Sequence, residues 1–272
     1  MSGVLSRILE TKRAEVAKLR AGWESGSTSR SVPRDVLPAL ERPAGAPLRL
    51  LAEIKFESPS AGALSRSLDA GGRAIAYANG GASMVSVLTD APHFGGSWDD
   101  LRRARLALDG VRRDVPLLAK EFVLDEIQLT VARASGADAV LLIARIVTPE
   151  RLGELVDAAR QRELEPLVEV ATDEELTAAL TTKARVIGVN ARDLDTLAMD
   201  PRRAARLLAA IPAGKVAVHL SGVRTSDDVR LLAAGRADAA LVGEALMREE
   251  DPTPLLGRLV AAAAIGPSPR AG

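Results

Sequence analysis

Residues 50–56 read Leu-Leu-Ala-Glu-Ile-Lys-Phe, a short apolar run interrupted by the carboxylate of Glu53 and the ammonium group of Lys55. Three later apolar runs share this pattern of a polar side chain near the end: PLLAKEF at residues 116–122, EPLVEV at 165–170 and VIGVN at 186–190. Burying a charged or amide side chain is unfavourable unless the group is paired or has a function. Because the pattern recurs along the chain, we expect these distant segments to meet at one polar pocket.

Apolar runs alternate with helical patterns from residue 50 onward, which predicts an α/β fold. We predict eight strands, at residues 50–56, 84–89, 116–122, 139–146, 166–170, 186–190, 216–220 and 239–242. We predict helices at residues 70–79, 98–108, 125–134, 149–161, 173–182, 201–210, 226–234 and 252–264. An open doubly wound sheet and a closed (β/α)8 barrel both fit this order. The strand count, the length of 272 residues and the lack of a G-x-G-x-x-G turn favour a single (β/α)8 TIM barrel.

The segment before the barrel has a different composition. Apolar side chains between residues 4 and 19 recur with helical spacing, which predicts an extra N-terminal helix. The stretch 22–47 is rich in Gly, Ser, Pro and Arg and indicates a connector. We therefore expect an N-terminal helix and connector in residues 1–48, a barrel catalytic domain in 49–265 and a flexible tail in 266–272.

Composition narrows the function. Lys+Arg and Asp+Glu are equal at 36 each, and the chain has only two tryptophans, one tyrosine and three phenylalanines, so we expect neither nucleic acid nor a membrane as partner. The N-terminus carries charges throughout and has no signal-peptide pattern, which predicts a cytoplasmic protein. With no cysteine and two histidines, we expect no metal site.

The polar groups of the four strands are predicted to converge. Side chains alternate along a strand, so Glu53 and Lys55 share one face, and by the same parity Lys120, Glu169 and Asn190 point into the barrel. Active sites of TIM barrels lie at the C-terminal ends of the strands. The alternative is a buried Glu–Lys pair that only fixes the register of the barrel. Recurrence on four strands favours a functional pocket.

Two loops are predicted to bind phosphate. Ser221-Gly222 follows the seventh predicted strand and Gly243-Glu244 follows the eighth, where TIM barrels hold phosphate with backbone N–H groups. Residues 57–63, after the first strand, are either a surface turn or a mobile lid that excludes water.

At these residues the chain resembles the indole-3-glycerol-phosphate synthase family. AEIKFESPSAG at residues 52–62 is similar to the family pattern A-E-I-K-x-x-S-P-S-x-G, and SVLTDAPHFGGSWDDL at 86–101 to S-V-L-T-(x)-F-x-G-S-x-x-D-L. Four more segments fit in order: LLAKEFVLDEIQL, PLVEVATDEEL, IGVNARDLDTL and ALVGEALM. The resemblance runs from about residue 50 to 251, with the N-terminal helix also in place.

The resemblance implies a reaction in tryptophan biosynthesis: ring closure of 1-(2-carboxyphenylamino)-1-deoxyribulose 5-phosphate, with loss of CO2 and water. It implies no cofactor or metal. By position, Lys120 is the general acid for ring closure, and Glu169 is the base or the partner of the anilino nitrogen. Lys55 would bind the substrate carboxylate or supply the acid for dehydration. Glu53 and Asn190 would orient the lysines and the departing hydroxyl.

The resemblance also implies a substrate-binding set. Phe94 and Phe122 would line an aromatic slot. The remaining expected substrate and phosphate contacts are Ser58, Arg192, Ser221, Gly222, Gly243 and Glu244. A phosphorylated small molecule is the expected partner, and the protein is expected to be a monomer or a weak homodimer.

The chain departs from the family pattern at two positions. Leu220 stands where the family usually has glutamate before Ser-Gly, and Ala191 stands where it usually has a second asparagine. Our hypothesis is that Leu220 slows turnover. Two alternatives to the synthase stay open at this point: another phosphosugar-binding TIM-barrel isomerase, and a catalytically weakened paralogue that only binds.

Overall fold

Eight parallel strands close a barrel in the computed structural model, which describes residues 3–22, 32–58, 62–111 and 113–264. The barrel strands are β1 (Arg49–Ile54), β4 (Met84–Leu88), β5 (Leu117–Lys120), β6 (Ala139–Ile143), β7 (Glu165–Val170), β8 (Val186–Val189), β9 (Val216–His219) and β10 (Ala239–Val242), and the short strands β2 (Glu57–Ser58) and β3 (Gly62–Ala63) form a separate two-stranded sheet. The strand order is β1-β10-β9-β8-β7-β6-β5-β4, with β1 paired to both β10 and β4. The predicted TIM barrel is therefore confirmed.

Helices surround the barrel and cover its ends. They are α1 (Val4–Gly22), α2 (Leu37–Leu40), α3 (Ala70–Asn79), α4 (Ala91–Phe94), α5 (Trp98–Gly110), α6 (Glu126–Ala134), α7 (Pro149–Gln161), α8 (Asp173–Thr181), α9 (Pro201–Ala210), α10 (Ser226–Ala233), α11 (Glu244–Met247) and α12 (Thr253–Ala263). Side-chain oxygens of Ser97, Thr148, Thr172 and Asp200 accept backbone N–H groups at the starts of α5, α7, α8 and α9. Such caps fix where each helix begins.

Strand alternation divides the apolar core into two layers. One cluster fills the barrel and includes Leu51, Met84, Leu118, Leu167, Val186 and Val218. The other lies between the sheet and the helices and includes Leu50, Ala52, Ile54, Val85, Val140, Val168 and Ile187. This alternation of inward-facing and helix-facing side chains is the one that the sequence predicts. Glu53, Lys120 and Glu169 therefore lie on the inward face.

The N-terminal segment contacts both ends of the barrel. Leu5 and Ile8 of α1 belong to the interior cluster together with Phe122 and Ile143, so α1 lies across the C-terminal mouth. At the opposite end, the backbone N–H of Arg34 donates to Asp138, just before β6, and α2 packs against β9. The extra N-terminal helix is confirmed, and its apolar face covers the end of the barrel where TIM-barrel active sites lie.

Several boundaries differ from the prediction. The strand predicted over 139–146 ends at Ile143, where its pairing with β7 stops, and residues 144–146 form a 3-10 helix. Arg145 in this turn pairs with Glu175 in the first turn of α8 and with Asp193 in the loop after β8. Residues on both sides of 59–61 pair as the β2–β3 hairpin, although the sequence indicates only a turn or lid.

Parts of the predicted domain organisation lie outside the described residues. These include residues 23–31 of the connector, residues 59–61 between β2 and β3, and the whole predicted tail at 266–272. The division into an N-terminal part, a barrel and a tail therefore stays a prediction. Among the helices that are described, none has both the length and the hydropathy to cross a bilayer.

Candidate active site

A single cavity at the C-terminal mouth of the barrel brings all the predicted site residues together. The predicted residues that line it are Glu53, Lys55, Ser58, Phe94, Lys120, Phe122, Glu169, Asn190, Arg192, Ser221, Gly222, Gly243 and Glu244. They come from the ends of β1, β5, β7 and β8, from β2 and α4, and from the loops after β8, β9 and β10. The cavity has the position and the mix of apolar and convergent polar groups that are typical of a ligand site.

Glu53 and Lys55 form the first ionic group. The Lys55 Nζ lies 2.9 Å from Glu53 Oε1, and Glu53 is buried. Burial raises the pKa of the Glu53 carboxyl, but the ammonium groups of Lys55 and Lys120 lower it more, so its pKa lies below the ordinary glutamate value. Glu53 therefore stays ionised and fixes the position of the Lys55 ammonium group.

Gly243 leaves room for this pair. A Cβ atom built on Gly243 would lie 2.6 Å from Glu53 Oε1, which is closer than real Cβ contacts. Because Glu53 is held by its ion pair with Lys55, a side chain at position 243 would displace both groups. The glycine after β10 is therefore required by the carboxylate on β1, as well as by any ligand that approaches the backbone.

Lys120 and Glu169 form the second ionic group. The Lys120 Nζ lies 3.6 Å from Glu169 Oε2, which is an ion pair but too long for a good hydrogen bond. Glu169 Oε1 accepts a hydrogen bond of 2.9 Å from the amide nitrogen of Asn190. The ammonium protons of Lys120 are thus directed only loosely toward Glu169, and a substrate oxygen can compete for one of them.

The orientation of the Asn190 amide is determined by its neighbours. Its Oδ1 accepts the backbone N–H of Arg192 at 2.9 Å and the hydroxyl of Ser221 at 2.8 Å. A backbone N–H can only donate, so Oδ1 must face Arg192 and the Nδ2 group must face Glu169. Ser221, Asn190 and Glu169 therefore form one directed hydrogen-bond chain across β9, β8 and β7.

The apolar side of the cavity contains two aromatic rings. The ring centroids of Phe94 and Phe122 are 6.0 Å apart and the rings are tilted by 31°. Leu5 and Ile8 of α1 complete this wall. A flat apolar group of about one ring in size fits such a wall through offset and edge contacts.

Leu220 occupies the interior face directly after β9. It is buried, and its Cδ1 lies 2.5 Å from where a Cβ on Gly188 would be, so the glycine in β8 makes space for it. The Glu244 carboxylate, which also lines the cavity, lies 2.9 Å from Arg248. The hydrogen bonds from Arg248 lower the pKa of the Glu244 carboxyl.

The loops after β8 and β9 surround the opening. Gly222 has φ of +89°, a left-handed conformation that favours glycine, and it turns the chain after Ser221. The Arg192 guanidinium donates to the carbonyl of Leu197 at 3.2 Å and thus holds its own loop as well as lining the cavity. Arg224 adds a second guanidinium to the lining.

Several residues of the cavity wall are not predicted as site residues from the sequence. These include Leu5 and Ile8 of α1, Leu194 and Leu197 of the loop after β8, Glu121 after β5, and Arg224 after β9. The apolar face of the first helix is visible in its spacing, but the spacing does not show which surface the face covers. Arg224 stands three residues after Ser221, and this proximity is the signal that could have identified it.

A metal site is not formed by the residues that the structure describes, since no three histidine, aspartate or glutamate side chains are placed to share an ion. The expectation that the reaction needs neither metal nor cofactor stays a prediction. The charged and amide side chains that line the cavity from the strand ends are Glu53, Lys55, Lys120, Glu169 and Asn190, with Glu121 directly after β5.

The sequence was compared with known families and proteins. The profile of the family described as indole-3-glycerol phosphate synthase matches residues 5–259. The indole-3-glycerol phosphate synthase of Rhodopirellula baltica is 46% identical over 206 residues, which is 76% of this chain and 78% of that protein. The enzyme of the same name from Mycobacterium ulcerans is 40% identical over 264 residues, covering 95% of this chain and 94% of that protein.

Solved structures with lower sequence identity share the fold. The tryptophan synthase alpha chain of Legionella pneumophila superposes with a TM-score of 0.58 at 14% identity, covering 80% of this chain and 92% of that chain. At this identity the likeness shows the barrel alone. The family match and the curated relatives cover nearly the whole chain, barrel and N-terminal helix included. The chain therefore belongs to the indole-3-glycerol phosphate synthase family.

Proposed function

We propose that this chain converts 1-(2-carboxyphenylamino)-1-deoxyribulose 5-phosphate into indole-3-glycerol phosphate, CO2 and water, and that it acts as a carboxy-lyase. Family membership and the relatives of that name support the reaction. The observation that carries the proposal is the pairing of Lys120 with Glu169 beside the Phe94–Phe122 wall, within one cavity. An acid, a base and an apolar ring site are what the reaction requires.

Ring closure needs an acid at the carbonyl oxygen. The ring carbon that bears the carboxylate attacks the ribulose carbonyl carbon, and the carbonyl oxygen takes a proton as the new C–C bond forms. Lys120 is our candidate donor, because its ammonium group is loosely held at 3.6 Å from Glu169. CO2 then leaves and its bonding electron pair restores the aromatic ring.

Dehydration needs both an acid and a base. The new hydroxyl leaves as water after it takes a proton, and the adjacent ring carbon loses one. Lys55, 2.9 Å from Glu53, is positioned to protonate the hydroxyl, and Glu169 takes the proton from carbon. The Asn190 amide donates to Glu169 Oε1 at 2.9 Å and fixes the orientation of its carboxyl group.

Phosphate binding is assigned to the loops after β9 and β10. The backbone N–H groups near Gly222 and Gly243 line the cavity, and the guanidinium groups of Arg192 and Arg224 add positive charge on the same side. The Ser221 hydroxyl already donates to Asn190. We therefore assign its side chain to orienting the Asn190–Glu169 pair, and its backbone to the phosphate loop.

The test is to follow indole fluorescence after mixing the purified protein with the carboxyphenylamino-deoxyribulose phosphate. The proposal predicts turnover by the parent protein, and loss of turnover with retained substrate binding in Lys120→Ala. Tight binding without turnover by the parent would instead support the weakened paralogue. No observation favours a phosphosugar isomerase. A monomer or weak homodimer and a cytoplasmic location stay predictions.

A further inference from the structure

A buried lysine on α1 contacts three carboxylates, of which Glu121 also lines the cavity described above. The Nζ of Lys12 lies 2.6 Å from Glu15, 2.8 Å from Glu121 and 2.9 Å from Asp90. Lys12, Glu121 and Asp90 are each at most 2% exposed. Lysine is almost never fully buried unless it is paired, so this cluster is a specific contact and not an incidental surface ion pair.

The carboxylates connect α1 to two neighbouring barrel strands. Asp90 follows β4 and accepts the backbone N–H of His93 at 2.9 Å, so it also caps the short helix that carries Phe94. Glu121 follows Lys120 directly. It accepts the backbone N–H of Phe122 at 2.8 Å and the hydroxyl of Thr89 at 2.9 Å. One ammonium group therefore joins the helix to the backbone segments that carry both aromatic rings.

The same face of α1 covers the cavity. Leu5, Ile8 and Lys12 are spaced by three and four residues, which places them in a row along the helix. Leu5 and Ile8 line the cavity and pack in one cluster with Phe94 and Phe122. The buried ion cluster thus lies at one end of the helical face that covers the mouth.

Charge in this cluster is stabilised by contact between α1 and the barrel. Burial lowers the pKa of the Lys12 ammonium group, but Glu121 and Asp90 raise it more, so its pKa lies above the ordinary lysine value and the group stays charged. Removal of one partner from a buried ion pair leaves an uncompensated charge. Without the ammonium group, Glu121 and Asp90 would gain solvation if α1 moved away.

We propose that Lys12 is a positioning residue whose ion cluster with Asp90 and Glu121 holds α1 as the roof of the aromatic part of the substrate site. The inference rests on the proposed function, because it takes the Phe94–Phe122 wall as the site of the substrate ring. If α1 contacts the ring equally in the bound substrate and in the transition state, it stabilises both states by the same free energy. Loss of this contact therefore raises KM and leaves kcat nearly unchanged.

The test compares full-length Lys12→Met with Lys18→Met, a matched control at an exposed position of the same helix. Amide hydrogen exchange reports whether α1 is docked, and steady-state kinetics report KM and kcat. We expect Lys12→Met to exchange its α1 amides at least about tenfold faster and to raise KM by about tenfold or more, with kcat within about threefold. Lys18→Met should match the parent in both.

Two results for Lys12→Met would overturn the proposal that the ion cluster holds α1 over the substrate ring. One is parent-like exchange and KM in Lys12→Met. The other is a fall in kcat at constant KM, which would mean that the cluster acts on Lys120 through Glu121. If Lys12→Met does not fold, Ile8→Ala keeps the cluster and removes a roof contact, so an unchanged KM in Ile8→Ala also overturns the proposal. A parent protein without turnover would refute the proposed function, whereas the exchange experiment would still test the docking.

Discussion

Two layers of the same barrel interior differ in chemistry although they lie two residues apart on the same strands. Leu51 and Leu118 fill the lower layer, whereas Glu53 and Lys120 occupy the upper layer on β1 and β5. Leu51, Leu118 and Glu53 are all buried to 2% exposure or less. Burial alone therefore does not separate the layers. The lower layer has the side chains that a barrel needs in order to fold, and the upper layer has side chains that make folding harder.

The two layers also differ in how much their side chains contribute to the free energy of folding. A buried leucine contributes about 1.5–3 kcal/mol to folding, whereas a buried ion pair often contributes nothing relative to apolar side chains of similar volume. The charged side chains of the upper layer are therefore better explained by a role in the reaction than by a contribution to the stability of the fold. Substitutions in the upper layer should affect turnover, and those in the lower layer should affect the free energy of unfolding.

The largest effect on turnover is expected for Glu169→Gln. The amide keeps the size of the side chain but cannot take a proton, so kcat should fall by about 10²–10⁴-fold. The urea midpoint should stay close to that of the parent, because the amide keeps the oxygen that accepts from Asn190 and the Lys120 ammonium group is partly exposed. Steady-state turnover assays and urea unfolding of the same preparation would check the loss of kcat and the urea midpoint. Retained turnover would remove Glu169 from the role of base.

A smaller loss is expected for Gly243→Ala, whose Cβ would lie 2.6 Å from Glu53 Oε1. Displacement of Glu53 and its partner Lys55 should lower kcat/KM by about 10–100-fold, the scale of a misplaced catalytic group. Gly153→Ala on α7 is the control, since no atom lies within 4 Å of its added Cβ. That variant should gain about 0.5–1 kcal/mol of stability without a change in kcat/KM. Equal kinetics in the two variants would contradict the role of Gly243.

Leu220→Glu tests the departure from the family pattern. An acidic side chain at the end of β9 would enter the cavity near Lys55 and Lys120, and we expect kcat to rise by about tenfold. The substitution also buries a carboxylate where Leu220 now packs against Gly188, so the free energy of unfolding should fall. A variant no faster than the parent would refute the idea that Leu220 limits turnover.

The smallest effect is expected for Ser221→Ala. Asn190 would lose one of the two donors to its Oδ1 and hold Glu169 less firmly, so kcat should fall by about threefold to tenfold with little change in KM. Ser221→Thr keeps a hydroxyl and should recover most of the loss. A rise in KM at constant kcat would show that the hydroxyl binds phosphate, as the sequence alone suggests.

Local pattern was enough to predict the barrel and the polar strand residues that line its cavity. Parity along a strand places Glu53, Lys120 and Glu169 on one face wherever the sheet closes, because the period of two is a property of the backbone. The order of strands places the loops of Ser221 and Gly243 side by side. Such features need no knowledge of long-range contacts.

Features that depend on long-range contacts could not be predicted. Lys12 has the appearance of a solvated charge on an amphipathic helix, and nothing near it in sequence identifies Asp90 or Glu121 as partners. The apolar neighbours of Arg145 predict that β6 continues, whereas Arg145 pairs with Glu175 on α8 and with Asp193 in the loop after β8, both of which are distant in the sequence. The direction of the Ser221 hydroxyl likewise depends on the side chain of Asn190, which lies on another strand.

The most direct test of the contrast between the layers measures kcat and urea unfolding for Lys120→Met and Leu118→Ala, which are neighbours on the inward face of β5. We predict that one variant loses mainly turnover and the other loses mainly stability. Lys120→Met should lose about 10²–10⁴-fold in kcat and lose less stability than Leu118→Ala, because Glu169 keeps its hydrogen bond from Asn190. Leu118→Ala should lose about 2–5 kcal/mol of stability while its folded fraction keeps the parent kcat. Loss of stability with retained turnover in Lys120→Met would contradict the assignment of the upper layer to catalysis.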